Sequence, residues 1–360
     1  MSKVMLMSTT RLADIAAQAG VSEATVSRVL NGKAGVSSAT RQAVLTALDL
    51  MGYERPQRLR GRSNGLIGLV IPELGNPIFP AFAQAVEKAL TQHGYTAILC
   101  TQEPGGAPED EFTDMLLDRG VSGIVFVSGL HADTTARMDR YTRLTDRGLP
   151  IVLVDGYNEA ISAPFISPDD RLAARLAVQH LVDLGHERIG LALGQRRFVP
   201  VIRKIEGFRQ AMAHLLGLTE VDELIQHSLF SVEGGQAAAA ALIERGCTGV
   251  FCASDLMALG AIRAARERGL SVPGDMSIVG FDDSPLMAFT DPPLTTVRKP
   301  IGAMAAAAVQ TLLDEIGGTP AKRVELVYQP ELVVRGSTSS GPLVNRDPPR
   351  DHAHVRPHAP

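Results

Sequence analysis

From Leu66 to residue 340 the chain repeats one pattern, a short apolar run followed by an amphipathic helical stretch that ends near a glycine. The strand-like runs are 66–71, 95–100, 123–127, 151–154, 188–192, 249–252 and 277–281. Between them Phe82, Val86, Ala89 and Leu90 share a helical face before Gly94, and Leu172, Leu176, Leu181 and Leu184 give a second such stretch ending at Gly185. Strands that alternate with helices read as βαβ units, which place parallel strands beneath covering helices. So long an alternation exceeds one ordinary doubly wound sheet and predicts two similar lobes. In open parallel sheets a ligand sits beyond the carboxyl ends of the strands, so facing lobes would hold it in the cleft between them.

The charge is distributed unevenly. The net charge of -4 read over the whole chain argues against a nucleic-acid partner. Through Leu66, however, nine Lys and Arg stand against four Asp and Glu, a balance of +5 that leaves -9 for the rest. A small basic module attached to a larger acidic one is the reading. Three short helices fit residues 9–53. Leu12, Ile15, Ala16 and Ala19 share a face before Gly20. Ser22 caps a second helix whose apolar face is Val26, Val29 and Leu30, leaving Ala24, Arg28 and Asn31 opposite. Ser37 or Ser38 caps a third, with Val44, Leu45, Leu48 and Met51 buried before Gly52. The first two helices, joined by a Gly-containing turn, constitute a helix-turn-helix whose second member presents polar residues to the major groove. Arg28 offers paired donors to guanine, and Ser22, Thr25 and Ser27 are of a size to reach phosphates. Helix capping and a solvated face are the alternative roles for the same residues.

The motifs are specific. Ala19-Gly20-Val21-Ser22, Thr25-Val26-Ser27-Arg28-Val29-Leu30-Asn31, Val36-Ser37, Thr40-Arg41 and Gly52-Tyr53 resemble the N-terminal domain of the lactose-repressor (LacI/GalR) family of bacterial transcription regulators. By that resemblance Glu23, Ala24 and Arg28 occupy base-reading positions, with Ser22, Thr25, Ser27 and Asn31 beside them. In the family a hinge then folds on the operator and inserts a leucine from each protomer of a dimer; Leu59, followed by Arg60-Gly61, is the match. Only two residues separate Pro56 from Leu59, where most members have about one helical turn more. A minor-groove wedge and a basic flexible linker both remain as readings of this segment.

The resemblance extends to residue 340. Asn76-Pro77, His180-Leu181, Leu184-Gly185-His186, Glu206-Gly207-Phe208, Ser254-Asp255, Met257-Ala258-Leu259-Gly260, Gly280-Phe281-Asp282-Asp283 and Pro293-Leu294-Thr295-Thr296-Val297 are similar to the family's effector domain, which is itself similar to periplasmic sugar-binding proteins. The implied fold is an N-terminal all-α helix-turn-helix head plus a periplasmic-binding-protein-like α/β domain of two parallel-sheet lobes. The chain would pass between the lobes three times. The expected division is a DNA-binding domain over 1–54, a basic hinge or linker over 55–65, an effector-binding and dimerisation domain over 66–340, and a disordered tail over 341–360. A sugar needs a few fixed polar groups and an apolar wall. Candidates at matching strand ends are Asn76, Phe79, Asp155, Asp169, Arg197, Phe230, Ser254 and Asp282. Family members commonly place an arginine three residues before the Gly-Phe pair; here Lys204 stands there with Arg203 beside it, and either could point inward. Asp282 matches the acid that bonds effectors across the family. Loop capping or a salt bridge is the alternative for each, His186 reads as a helix-end cap, and Asp255 as an N-cap.

Other classes are disfavoured by what is missing. There is no G-x-G-x-x-G after a strand, no P-loop, no H-E-x-x-H and no G-x-S-x-G, so an α/β sugar-processing enzyme is the weaker alternative, with no cofactor or metal expected. An exported solute-binding protein is opposed by the basic head and by an N-terminus without a secretory apolar core. No apolar stretch is long enough for a membrane span. Cys100, Cys247 and Cys252 lie at no metal-ligand spacing and read as reduced thiols of a cytoplasmic protein. The expected partners are a palindromic double-stranded operator, a second copy of the chain and a small-molecule effector, a sugar favoured, and the expected role is repression of carbohydrate-utilisation genes.

Overall fold

The structure, a computed structural model, describes residues 9–31, 33, 35–51, 64–102 and 108–341. The hinge candidates Leu59 and Arg60 and the tail beyond Gly341 lie outside the described residues. The chain forms two compact units.

Among its described residues the first unit holds three helices, α1 (Thr9–Ala19), α2 (Glu23–Leu30) and α3 (Ser38–Leu50). Gly20 sits at φ +66°, the left-handed geometry that lets α1 turn sharply into α2. Ser22 and Ser37 are the N-caps of α2 and α3, their hydroxyls accepting the N–H groups of Thr25 at 3.2 Å and Thr40 at 3.1 Å. Ile15, Ala16, Val26, Val29, Val44, Ala47 and Leu48 form a small buried core. The apolar face read from the spacing is the face that is buried.

The second unit contains two six-stranded sheets. In chain order the elements of the first half are β1 (Leu66–Ile71), α4 (Ile78–Gln92), β2 (Thr96–Thr101), α5 (Glu109–Asp118), β3 (Gly123–Val127), α6 (Asp139–Asp146), β4 (Ile151–Val154) and β5 (Phe165–Pro168). Then come α7 (Asp170–Asp183), β6 (Ile189–Leu193), α8 (Val199–Leu216), β7 (Ile225–His227), α9 (Val232–Glu244), β8 (Gly249–Cys252), α10 (Asp255–Glu267), β9 (Ser277–Asp282) and β10 (Thr295–Arg298). The chain ends its regular structure with α11 (Ile301–Ile316), β11 (Glu325–Tyr328) and β12 (Glu331–Val333).

One sheet runs β2-β1-β3-β4-β5-β11 and the other β7-β6-β8-β9-β10-β12. Both therefore begin with the doubly wound order 2-1-3-4-5, and each has a topological switch point, between β1 and β3 and between β6 and β8. The register pairs Ile67 with Gly123 in the first lobe and Ile189 with Gly249 in the second, both parallel; β10 with β12 is antiparallel. The chain changes lobe after β5, between β10 and α11, and between β11 and β12, the three passages the resemblance implied. Five strands, β5, β7, β10, β11 and β12, carry no strand-like run in the sequence reading. Each has only three or four residues, and the outer ones are partly exposed edges without a continuous apolar run.

Two of the motif glycines have a packing cause. A Cβ at Gly207 would lie 2.3 Å from the Arg171 carbonyl on α7, and one at Gly260 would lie 1.9 Å from the Val232 carbonyl on α9. The helix pairs α7/α8 and α9/α10 approach too closely for any side chain there. Among the described residues no helix is long and apolar enough to cross a membrane.

Candidate functional site

The exposed side of α2 is the first candidate surface. Val26 and Val29 face the head core, so at 100° per residue Ala24, Arg28 and Asn31 turn outward, and they are exposed together with Ser22 and Glu23. Thr25 and Ser27 are half-buried. Ser22 Oγ and Thr25 Oγ1 lie 2.9 Å apart within the cap, and Asn31 Nδ2 donates to the Ser27 carbonyl at 2.8 Å. The Arg28 guanidinium makes no hydrogen bond or ion pair among the described residues, which leaves its planar set of donors available to an outside acceptor.

The second is a cavity of about 210 Å³ enclosed by the carboxyl ends of the two sheets. Its position follows from the switch points. Glu73, Asn76 and Phe79 follow β1, Ser128 follows β3 and Asp155 follows β4. From the other lobe come Phe198, Lys204 on α8, Phe230, Ser254 after β8, and Phe281 and Asp282 at the end of β9. Lys299, after β10, and Asp170, at the first residue of α7, stand at two of the lobe crossings. Three non-glycine residues of this lining adopt positive φ: Ser128 at 47°, Asp155 at 70° and Asp282 at 110°. Such backbone strain is held only where surrounding structure enforces it, and it concentrates at ligand sites.

The cavity walls contain two buried ion pairs. Lys204 Nζ donates to Asp170 Oδ1, and Lys299 Nζ donates to Asp155 Oδ2, which also accepts the Ser128 hydroxyl at 2.6 Å. Asp155 Oδ1 is buried without a partner. Asp282 is buried as well, and its carboxylate accepts no hydrogen bond among the described residues. Burial, reinforced by the negative charge of Asp255, holds the Asp282 carboxyl well above the usual range, against the pull of Lys299 and Lys204.

Asp255 lies behind this wall, where its carboxylate accepts from Thr296 Oγ1 and from the Ser284 N–H, each at 2.7 Å. Burial pushes it up to about 6 despite those hydrogen bonds. Its folded value exceeds the ordinary 3.8, so the folded chain binds this proton more tightly than the unfolded one. The group therefore favours folding below 3.8 and costs stability as pH climbs to about 6. Urea denaturation should show Asp255→Asn flattening that part of the stability profile; an unchanged slope would contradict the assignment.

Several sequence candidates sit one residue from where the cavity needs them. Asp169 does not line it: the carboxylate is the N-cap of α7, accepting the Leu172 N–H at 2.9 Å, and Asp170 faces inward instead. Arg203 forms two hydrogen bonds, at 2.7 and 2.9 Å, with Glu325 of β11, and it is Lys204, 100° around the helix, that borders the cavity. Arg197 pairs with Asp133 at 2.9 Å and packs over the Phe198 ring; the ring, not the guanidinium, is in the lining. Asn76, Phe79, Asp155, Lys204, Phe230, Ser254 and Asp282 do line it.

Two further assignments change. Ser254, not Asp255, is the N-cap of α10, accepting the Met257 N–H at 3.2 Å while still bordering the cavity. His186 does not cap its helix with its ring, which instead meets Thr248 Oγ1 and Ser277 Oγ, each at 2.9 Å. Glu73, Ser128, Asp170, Phe198, Phe281 and Lys299 were not read as candidates from the sequence. Asp170 was signalled by the adjacent acids at 169 and 170, and Lys299 by its place just after the Pro-Leu-Thr-Thr-Val motif.

Comparison with known proteins matches both the head and the two-lobed domain to established families. Residues 11–56 match the model of bacterial regulatory proteins of the lacI family, and residues 178–338 match a periplasmic binding protein-like domain. The chain is 70% identical over 337 residues to the HTH-type transcriptional regulator MalR of Streptomyces coelicolor, covering 93% of this chain and 98% of the relative. Among solved structures, a complex of the transcriptional regulator CelR with cellobiose matches with a TM-score of 0.68 and 31% identity, over 91% of this chain and 99% of that one. The lac repressor dimer bound to operator and the anti-inducer ONPF matches with a TM-score of 0.65 and 28% identity, over 91% and 98%. These relatives are regulators of transcription and not enzymes.

Proposed function

The chain belongs to the lacI family of bacterial transcriptional regulators, and on that premise we propose that it is a repressor of carbohydrate-utilisation genes controlled by a sugar in the interlobe cavity. The observation that carries this reading is the presence in one chain of an exposed, donor-bearing recognition helix and a cavity walled by buried carboxylates and phenylalanines. Two copies related by a two-fold axis would each place α2 in the major groove of one half of a palindromic operator. The lac repressor dimer on its operator and the CelR–cellobiose complex support this assignment by similarity. A ligand that prefers one arrangement of the lobes shifts the population between DNA-binding and released states by no more than its difference in affinity for the two.

Within this reading Asp282 is the principal effector contact, seconded by Asn76, Asp155, Lys204 and Ser254, with Phe79 and Phe230 as apolar walls. The division into head, hinge and effector domain follows the boundaries given above. Asp282→Ala should bind operator DNA without effector as the parent does, yet fail to respond when sugar is added. Fluorescence anisotropy on a labelled operator measures both, and a variant that responds normally would reject Asp282 as an effector contact.

A further inference from the structure

Resting on the reading of the cavity as an effector site, we propose that it takes an uncharged, hydroxyl-rich ligand and excludes phosphorylated or otherwise anionic forms of the same molecule. Among the described residues two cations line the cavity, and both are already engaged. Lys204 Nζ is bonded to Asp170 and lies 3.9 Å from the centre of the Phe281 ring. Lys299 Nζ is bonded to Asp155 and lies 5.7 Å from the centre of the Phe82 ring. Against these two lysines stand four acids, Glu73, Asp155, Asp170 and Asp282, so the lining carries no surplus of positive charge whether or not Asp282 is protonated.

A phosphate ester entering this space would lose its water and meet no cation free to replace it. To recruit either lysine it would have to strip that lysine from a buried carboxylate, leaving the carboxylate uncompensated. Its oxygens would also face the lone pairs of the Asp282 carboxyl, which no ion pair neutralises among the described residues. Those same lone pairs suit hydroxyl donors. A carboxyl oxygen accepts a hydrogen bond in either protonation state, and a polyol supplies adjacent O–H groups to both oxygens at once. Ser254 completes the match, since its oxygen accepts the Met257 N–H while its own proton remains to be donated. The rings of Phe79, Phe198 and Phe230 offer flat apolar surfaces to the C–H faces of a sugar ring.

Titration calorimetry on the full chain tests this with matched pairs, each a neutral sugar and its phosphate ester: ribose with ribose 5-phosphate, glucose with glucose 6-phosphate, maltose with maltose 1-phosphate, and cellobiose alone. At least one neutral sugar should bind, with its ester weaker by roughly ten- to hundredfold or more, the range for one lost charge-assisted hydrogen bond. Asp282→Asn, checked for folding by circular dichroism, should weaken the neutral sugar by a comparable factor and narrow the gap to the ester. An ester that binds as tightly as its sugar overturns the charge argument and leaves the effector reading intact. A folded chain that binds none of the compounds counts against the effector reading itself.

Discussion

Replacing Lys204 with methionine should destabilise the two-lobed domain by about 3–5 kcal/mol, the usual cost of removing one partner from a buried ion pair. The side chains of Lys204 and Asp170 are 4% and 2% exposed, so the pair is largely shielded from bulk water and salt. Methionine fills much of the lysine stem's volume and can set its sulfur against the Phe281 ring where the ammonium stood, so what is lost is the charge with its cation–π contact. The pH dependence separates this cause from a packing defect. Burial already raises the Asp170 carboxyl above its ordinary value of 3.8 despite the opposing pull of Lys204. Without the lysine it rises further, so the variant's penalty is fully present above the folded value and disappears as pH falls toward 3.8 and the group becomes neutral. Urea titrations of parent and variant at several pH values should therefore converge on acidification. A second variant carrying Asp170→Asn as well should recover much of the loss, because no charge is then buried alone. A constant gap across pH, or no recovery in the double variant, would mean that the pair's charges are not what Lys204 contributes.

Arg28→Ala should weaken operator binding by about 1–3 kcal/mol per half-site and relax base preference at one position of each half-site. Arg28 is exposed on α2 and unpaired among the described residues, so its loss leaves the head's fold untouched. Its donors are arranged to meet the two acceptors of a guanine edge, and alanine can make only apolar contact. On the proposed two-fold dimer both half-sites would lose the contact, which makes the expected effect on affinity among the largest available to a single substitution. Anisotropy titrations at fixed salt, on the operator and on versions with each base pair changed, measure affinity and preference together. A variant with the parent's affinity and the parent's preference would remove Arg28 from direct readout. A uniform loss across all sequences would make it a phosphate contact.

The head was legible in the sequence because everything that shapes it is local. The 3.6-residue period that buries Val26 and Val29 also exposes Ala24, Arg28 and Asn31, and the caps at Ser22 and Ser37 lie within three residues of the groups they bond. The two lobes were legible for the same reason, as alternating runs. The cavity was readable only to within a residue. Whether Asp169 or Asp170 faces inward depends on which of them the start of α7 uses as its cap. Whether Arg203 or Lys204 does so depends on Glu325, far away in sequence on β11. Arg197 is likewise drawn to Asp133, leaving Phe198 in the wall. Strand-end motifs mark the neighbourhood, but partners brought by the lobe crossings choose the residue. Lys299 lies just past the Pro-Leu-Thr-Thr-Val motif, and its inward position is set by β10, whose four residues carry no strand-like run of their own.

The central claim is that one chain couples operator binding to occupation of the interlobe cavity. The most direct test is a gel shift with the full chain on the DNA upstream of its own gene, repeated across a panel of neutral mono- and oligosaccharides. A retarded complex should form on a palindromic sequence and at least one neutral sugar should dissolve or strengthen it, while the Asp282→Ala protein should give the same complex with every sugar. A complex that no member of the panel alters, formed by a chain that binds one of those sugars in calorimetry, would show that the head and the cavity are not coupled.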